Sequence, residues 1–220
     1  WRPQLSFAPQ DFASWPYPAW DLAEETRLLP MLTSQGCPFA CDYCASPVLA
    51  PRFQRRPAAA VVAEMAYWHQ RLGLTEVAFY DDALLFQAES HLLPLLEGVL
   101  QRGLPLRFHT PNGLHVRYLT PEVAHYLKKA NFITLRLGVE TTALGAARYD
   151  RKIQAGQLAA AVAALREAGY QPQEIGVYLL LGLPGQENGE VLASIQEVRR
   201  LGATPILAAY SPIPRTALWG

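Results

Sequence analysis

From Leu28 onward, short apolar segments alternate with amphipathic helical patterns, and this alternation constrains the fold more than any other feature. Repeated strand–helix alternation is typical of a parallel sheet whose strands are joined by right-handed crossovers. The strand candidates are Leu28–Thr33, Glu76–Tyr80, Leu106–His109, Phe132–Val139, Ile175–Leu181 and Pro205–Tyr210.

The segments between these strands carry apolar residues at helical spacing, as Val61 and Met65 illustrate. Thr120 followed by Pro121 is a typical helix start, and Gly169 stands where a C-terminal cap is expected. We therefore expect an α/β fold, a partial (β/α)6 TIM-like barrel of parallel strands. The strands show no reversal in the pattern, which favours a barrel over an open doubly wound sheet, although periodicity alone does not separate the two.

Residues 1–27 differ from the rest of the chain because they are rich in proline and aromatic residues and show no period. We expect an extended linker or docking arm there and a single core domain over residues 28–220. The chain begins with Trp instead of Met and stops just after the sixth strand candidate. We therefore expect an excerpt of a longer protein, truncated before a sixth helix.

Charge and hydropathy exclude two classes of partner. Nineteen basic and nineteen acidic residues cancel, so no charge imbalance argues for nucleic acid. The longest dense apolar stretch, Ile175–Leu183, is far too short to span a bilayer. The N-terminal residues show no export signal, so we expect a cytoplasmic protein.

All three cysteines of the chain, Cys37, Cys41 and Cys44, fall within eight residues. An odd, tightly clustered set without an export signal argues against disulfides and for metal ligation in a reducing compartment. The C-x3-C-x2-C spacing lies in a loop of small and turn-forming residues that can turn three thiolates toward one centre. Three ligands on a cubane of four irons would leave one iron open.

Other uses of these thiols fit less well. A structural zinc site needs four ligands, and the first histidine of the chain is His69. An electron carrier or sensor would also need a fourth protein ligand for its cluster. Two alternatives therefore remain. One is a zinc-stabilised structural domain, and the other is a binding module that carries an iron–sulfur cluster for electron transfer or sensing.

The motif Cys37-x3-Cys41-x2-Cys44, with Tyr43 just before the last cysteine, resembles the signature of the radical S-adenosylmethionine (SAM) superfamily. The resemblance extends over most of residues 28–216. It implies a [4Fe-4S] cluster whose open iron chelates the amino and carboxylate groups of SAM. It further implies reductive cleavage of SAM to a 5′-deoxyadenosyl radical, which abstracts hydrogen from a small-molecule substrate, with Tyr43 among the residues near the cofactors.

Polar residues stand at the ends of the predicted strands, where parallel barrels gather their chemistry. Asp81 and Asp82 follow the second strand, at the place of a Gly-Gly-Glu that binds the SAM amino group in many family members. The alternative is a turn with helix-capping aspartates. Glu140 resembles the family's Gly-x-Glu-Ser pattern, with Thr141 in place of Ser, which implies contact with the SAM ribose or amino group.

Three later segments complete the expected SAM site by the same resemblance. Arg151 lies in a loop that often carries a basic residue toward the SAM carboxylate, although a solvated charge fits it nearly as well. Gly182, Pro184 and Gly185 match the superfamily's Gly-Leu-Pro-Gly motif, which implies backbone contact with adenine. Tyr210 begins a Tyr-Ser-Pro-Ile-Pro segment similar to the one that closes over adenine.

The Asp-Asp form and the Trp-Pro-Tyr-Pro linker within residues 1–27 resemble the branch of the superfamily that carries an N-terminal cobalamin-binding domain. That branch implies a methyltransferase or a related radical enzyme, with cobalamin bound by a domain before residue 1. It also implies an external one-electron reductant of the flavodoxin or ferredoxin type.

Overall fold

The computed structural model describes residues 12–23, 27–143 and 153–219. Its strands are β1 (Leu29–Met31), β2 (Ser34–Gln35), β3 (Gln54–Arg55), β4 (Glu76–Phe79), β5 (Arg107–His109), β6 (Leu114–His115), β7 (Phe132–Glu140), β8 (Ile175–Leu181) and β9 (Thr204–Ala209). Its α-helices are α1 (Ser46–Leu49), α2 (Ala58–Leu72), α3 (Leu92–Gln101), α4 (Pro121–Lys129), α5 (Gln157–Glu167) and α6 (Asn188–Arg200). No helix in these ranges is long and apolar enough to cross a membrane.

The main sheet runs in the order β1-β4-β5-β7-β8-β9, and each pair is parallel. The six predicted strands are therefore confirmed, each within two residues at either end. The strands follow one another in chain order without the reversal that a doubly wound sheet requires, so the partial barrel is confirmed. Within the described ranges no pairing joins β1 to β9, so the barrel stays open on that side.

The two faces of this sheet differ in chemistry. The outward face packs against the helices with an aromatic cluster, in which the rings of Phe79 and Phe108 lie 5.3 Å apart and those of Phe108 and Phe132 lie 5.0 Å apart. Burial of one such ring contributes about 1.5–3 kcal/mol, so this layer is a main source of stability.

The inward face is polar, unlike the apolar filling of a closed barrel. The Glu76 carboxylate pairs with Arg107 and lies 2.8 Å from Nε2 of His109. Nδ1 of His109 lies 3.1 Å from the Thr134 hydroxyl, and half-buried Arg136 stands two residues further along β7. The lumen is thus lined with charged and hydrogen-bonding groups.

The predicted helix ends are confirmed. Thr120 caps α4, and its hydroxyl accepts a hydrogen bond from the Val123 N–H at 3.2 Å. Gly169 follows α5 with a φ of +94°, the left-handed conformation that glycine adopts at little cost.

Buried His91 connects α3 to the end of β1, and its protonation is expected to affect stability. Its Nε2 lies 3.0 Å from the Thr33 hydroxyl, and burial, with help from the positive charge of Arg55, lowers the pKa of His91 from 6.5 to about 4. The unfolded chain therefore takes up a proton between these values while the folded chain does not. We expect the free energy of unfolding to fall by about 3 kcal/mol as the pH drops from 6.5 to 4.

Chemical denaturation of wild-type and His91→Gln protein across this pH range measures the effect. Glutamine keeps a donor for Thr33 but does not titrate, so the variant should lose less stability on acidification. If the free energy of unfolding fell equally with pH in the two proteins, His91 would not be the responsible group.

Candidate active site

The cysteine loop leaves the barrel at the carboxyl end of β1, and the antiparallel pair β2–β3 closes its base. Gly36 precedes the first cysteine with a φ of +83°, and a Cβ there would lie 2.7 Å from the carbonyl oxygen of Arg52. Only glycine fits this close approach, so the loop is folded back on its own return segment. The two-residue strands β2 and β3 are too short to give a periodic sequence signal, and they were not predicted.

The three thiols occupy different depths of this loop. Cys41 is 9% exposed, whereas Cys37 and Cys44 are half-buried. A turn joins two of them, because the Cys44 N–H donates to the Cys41 carbonyl at 3.0 Å. The backbone N–H of Ser46 donates to the Cys44 sulfur at 3.4 Å.

The cysteine loop offers three thiols, the donor set of a cubane with one open iron. In the part of the chain that the structure describes, no three His, Cys, Asp or Glu side chains gather closely enough to hold one metal ion. Mononuclear zinc requires such a gathering. The sulfurs of a cubane site bind three different irons and therefore stand farther apart. Three thiolates on one loop, with an N–H directed at a sulfur, fit a cubane.

An aromatic group holds the outer side of the cysteine loop. The Phe39 ring, between Cys37 and Cys41, lies 4.6 Å from the His115 ring and 6.1 Å from that of Tyr118. Buried His115 brings Nε2 to 3.9 Å from the Cys37 sulfur. Sequence reasoning missed His115 because β6 is only two residues long. The Pro-Asn-Gly turn just before it, at the end of a predicted strand, could have indicated its position.

Asp81 is buried at the carboxyl end of β4, and its binding of SAM stays a prediction. Its carboxylate is 3% exposed and accepts hydrogen bonds from the backbone N–H and hydroxyl groups of both Thr33 and Ser34. Burial raises the pKa of Asp81, while these hydrogen bonds lower it in part. A carboxylate enclosed in this way joins β4 to the start of the cysteine loop and has little exposed surface to offer a SAM ammonium.

Asp82 is the half-buried neighbour of Asp81 at the same strand end. Asn112 supports this bend from the loop after β5, because its side-chain amide donates to the Tyr80 carbonyl at 2.7 Å. Of the two aspartates, Asp82 is therefore the one whose carboxylate a ligand can reach.

Glu140 ends β7 in an unusual conformation. Its φ is +63°, and the pairing with β8 skips one residue between Gly138 and Glu140. A left-handed glutamate next to a bulge is strained, and such strain clusters at functional sites. Arg151 lies outside the described residues.

The loop after β8 exposes its glycines and proline. Gly182 and Gly185 have φ values of +80° and +73°, and Gly182 and Pro184 are exposed. The Gln186 side chain ties the loop, because its oxygen accepts from the Gly182 N–H at 2.8 Å and its amide donates to the Leu180 carbonyl at 3.0 Å. The motif therefore presents its backbone to the space above the barrel.

The C-terminal segment returns to the cysteine loop. The Tyr210 hydroxyl donates to the Leu218 carbonyl at 3.3 Å, and the Leu218 N–H donates to the Asp42 carbonyl at 3.1 Å. Tyr210 is thus connected through Leu218 to the residue between Cys41 and Tyr43, which is itself half-buried. This connection had no signal in the sequence.

Comparisons with known proteins agree with this geometry. Residues 31–198 match the family model described as the radical SAM superfamily. An uncharacterized methyltransferase of Pyrococcus horikoshii is 24% identical over 93% of this chain and 45% of its own length. The hopanoid C-2 methylase of Rhodopseudomonas palustris is 28% identical over 95% of this chain and 41% of its own length.

A solved structure has the same fold. The radical SAM methyltransferase TsrM of Kitasatospora setae, with cobalamin and a [4Fe-4S] cluster bound, superposes with a TM-score of 0.74 and 21% identity. The match covers 87% of this chain and 36% of that one. The chain thus spans less than half the length of each of these relatives.

Proposed function

The chain belongs to the radical SAM superfamily, and on that basis we propose that it is the catalytic core of a cobalamin-dependent radical SAM methyltransferase. The observation that carries the proposal is a loop with three thiols at the carboxyl end of an open parallel barrel, where such folds place their active sites.

We assign the cluster to Cys37, Cys41 and Cys44, which would hold three of its irons. When bound, the cluster supplies one electron that cleaves SAM to methionine and a 5′-deoxyadenosyl radical. The Ser46 N–H would donate to the Cys44 sulfur, and the aromatic packing of Phe39 would limit solvent access.

The SAM site would lie along the same edge of the barrel. Carboxylates attract an ammonium group, so we assign the SAM amino group to Asp82 and Glu140. The exposed backbone around Gly182, Pro184 and Gly185 allows close approach of adenine. Tyr210, Tyr43 and, for the SAM carboxylate, Arg151 complete the proposed set.

The substrate would enter the polar lumen below this edge. Within the described residues no carboxylate pairs with Arg136, so the wall keeps one uncompensated cation. This supports a substrate with polar groups near its reacting carbon.

Relatives that match in sequence and a relative that matches in structure both support methyl transfer. The hopanoid enzyme is named as a methylase, and TsrM was solved with cobalamin. We propose that residues 1–27 follow a cobalamin-binding domain and that a flavodoxin or ferredoxin reduces the cluster. Oxygen-sensitive thiolates need reducing surroundings, so we place the enzyme in the cytoplasm.

Anaerobic reconstitution of the intact protein, followed by reduction with dithionite in the presence of SAM and hydroxocobalamin, tests the proposal. We expect 5′-deoxyadenosine to appear only when the reductant is present, because cleavage requires an electron. S-adenosylhomocysteine should also form, because the reduced, unmethylated cobalamin takes the methyl group of SAM. A protein that takes up iron and sulfide but forms neither product would instead be an electron-transfer module.

A further inference from the structure

Buried His115 faces the cysteine loop without any role in the site described above. Its ring is 7% exposed, and its Nε2 lies 3.9 Å from the Cys37 sulfur. From this contact we propose that His115 is a positioning residue that donates an N–H hydrogen bond to the Cys37 thiolate and raises the reduction potential of the cluster. The inference rests on the proposed cluster site.

The backbone around His115 places the ring accurately. β6 pairs with β7 so that His115 lies beside Gly138. Two residues earlier, just before β6, a Cβ on Gly113 would lie 2.8 Å from the Gly138 Cα, so the chain approaches β7 at a distance that only glycine permits at residue 113. His115 is therefore fixed by the sheet and not by a flexible loop.

Side-chain packing fixes the other side of the ring. Phe39, two residues after Cys37, packs against it at 4.6 Å, and Arg117 lies 5.1 Å from the centre of the Phe39 ring. The histidine and the cysteine loop are thus held as one unit, which keeps Nε2 directed at the sulfur.

The direction of the hydrogen bond follows from the chemistry of the partners. A ligating thiolate can only accept, so the proton between the two atoms must belong to Nε2. Hydrogen bonds to the cysteine sulfurs are one of the factors that set the potential of an iron–sulfur cluster. A donor stabilises the more negative reduced cluster more than the oxidised one, so its loss makes reduction harder.

Redox titration of the intact, anaerobically reconstituted protein, followed by electron paramagnetic resonance, measures this effect. His115→Phe keeps the aromatic packing with Phe39 but removes the donor. In this variant we expect the ratio of reduced to oxidised cluster at a fixed potential to fall about tenfold. That fall corresponds to a negative shift of the reduction potential of about 59 mV for one electron. His115→Gln, which retains an N–H donor, should stay close to wild type.

His125→Phe is the matched control, because this histidine is exposed on α4. Full iron and sulfide content in each variant shows that the cluster has assembled. A fully loaded His115→Phe protein with the wild-type potential would overturn the inference. So would His115→Gln shifting as far as His115→Phe.

A measurement on unmutated protein covers the case in which His115→Phe loads no cluster. In protein labelled with ¹⁵N-histidine, the reduced cluster should show hyperfine coupling to one histidine nitrogen, and its absence would overturn the inference. If wild-type protein takes up no cluster, the proposed function fails together with this inference; an unshifted potential removes the inference alone.

Discussion

Cys41→Ala should remain folded, take up no [4Fe-4S] cluster and release no 5′-deoxyadenosine from SAM. Cys41 is the most deeply buried of the three thiols, and its carbonyl accepts the turn hydrogen bond from Cys44 through backbone that alanine retains. The substitution therefore removes one sulfur without removing the fold of the loop. Two thiolates cannot hold a cubane that already has only three protein ligands.

Iron and sulfide analysis, visible absorbance and product analysis check this prediction on anaerobically reconstituted protein. Ala40→Ser is the matched control, because residue 40 is exposed on the same loop and carries no thiol. Control protein should keep the cluster and the activity. A Cys41→Ala protein with a full cluster and wild-type product formation would exclude the assignment of Cys41.

Asp81→Ala should lower the free energy of unfolding by about 3 kcal/mol. The variant should therefore unfold at a much lower denaturant concentration than wild type. The carboxylate accepts from the backbone N–H groups of Thr33 and Ser34, which are 0% and 2% exposed. Alanine leaves these buried donors without their acceptor. The cost follows from unsatisfied polar groups and not from the lost charge.

Asp82→Ala is the matched partner of this variant, because it removes the neighbouring, half-buried carboxylate. It should leave the free energy of unfolding nearly unchanged and weaken SAM binding to the reconstituted protein. Denaturation curves and equilibrium binding of SAM separate the two effects. If Asp81→Ala were as stable as wild type and had lost SAM binding, the structural role of Asp81 would be wrong.

The barrel could be predicted because its signals are long and repeated. β7 and β8 are long strands of nine and seven residues, and they were found nearly to the residue. The Thr120 cap was equally clear, because a residue with a hydroxyl group followed by proline is a local signal for the start of a helix. The strands pair in chain order, an arrangement that periodicity leaves undetermined and that only hydrogen bonding between strands defines.

The site could be predicted only in part, because its long-range contacts leave no local pattern. The cysteine spacing predicts a metal centre, since those residues lie within eight positions of the chain. Nothing near Asp81 indicates that Thr33 and Ser34 enclose it across nearly fifty residues. His115 likewise meets Cys37 through a two-residue strand, too short for any periodicity.

The central claim is that one iron of the cluster has no protein ligand and binds SAM. Electron–nuclear double resonance on the reduced intact protein, with SAM carrying ¹⁵N in its amino group, tests it most directly. We predict hyperfine coupling between the cluster and that nitrogen, lost on addition of excess unlabelled SAM. A fully loaded, reduced cluster that binds labelled SAM and shows no such coupling would contradict the account.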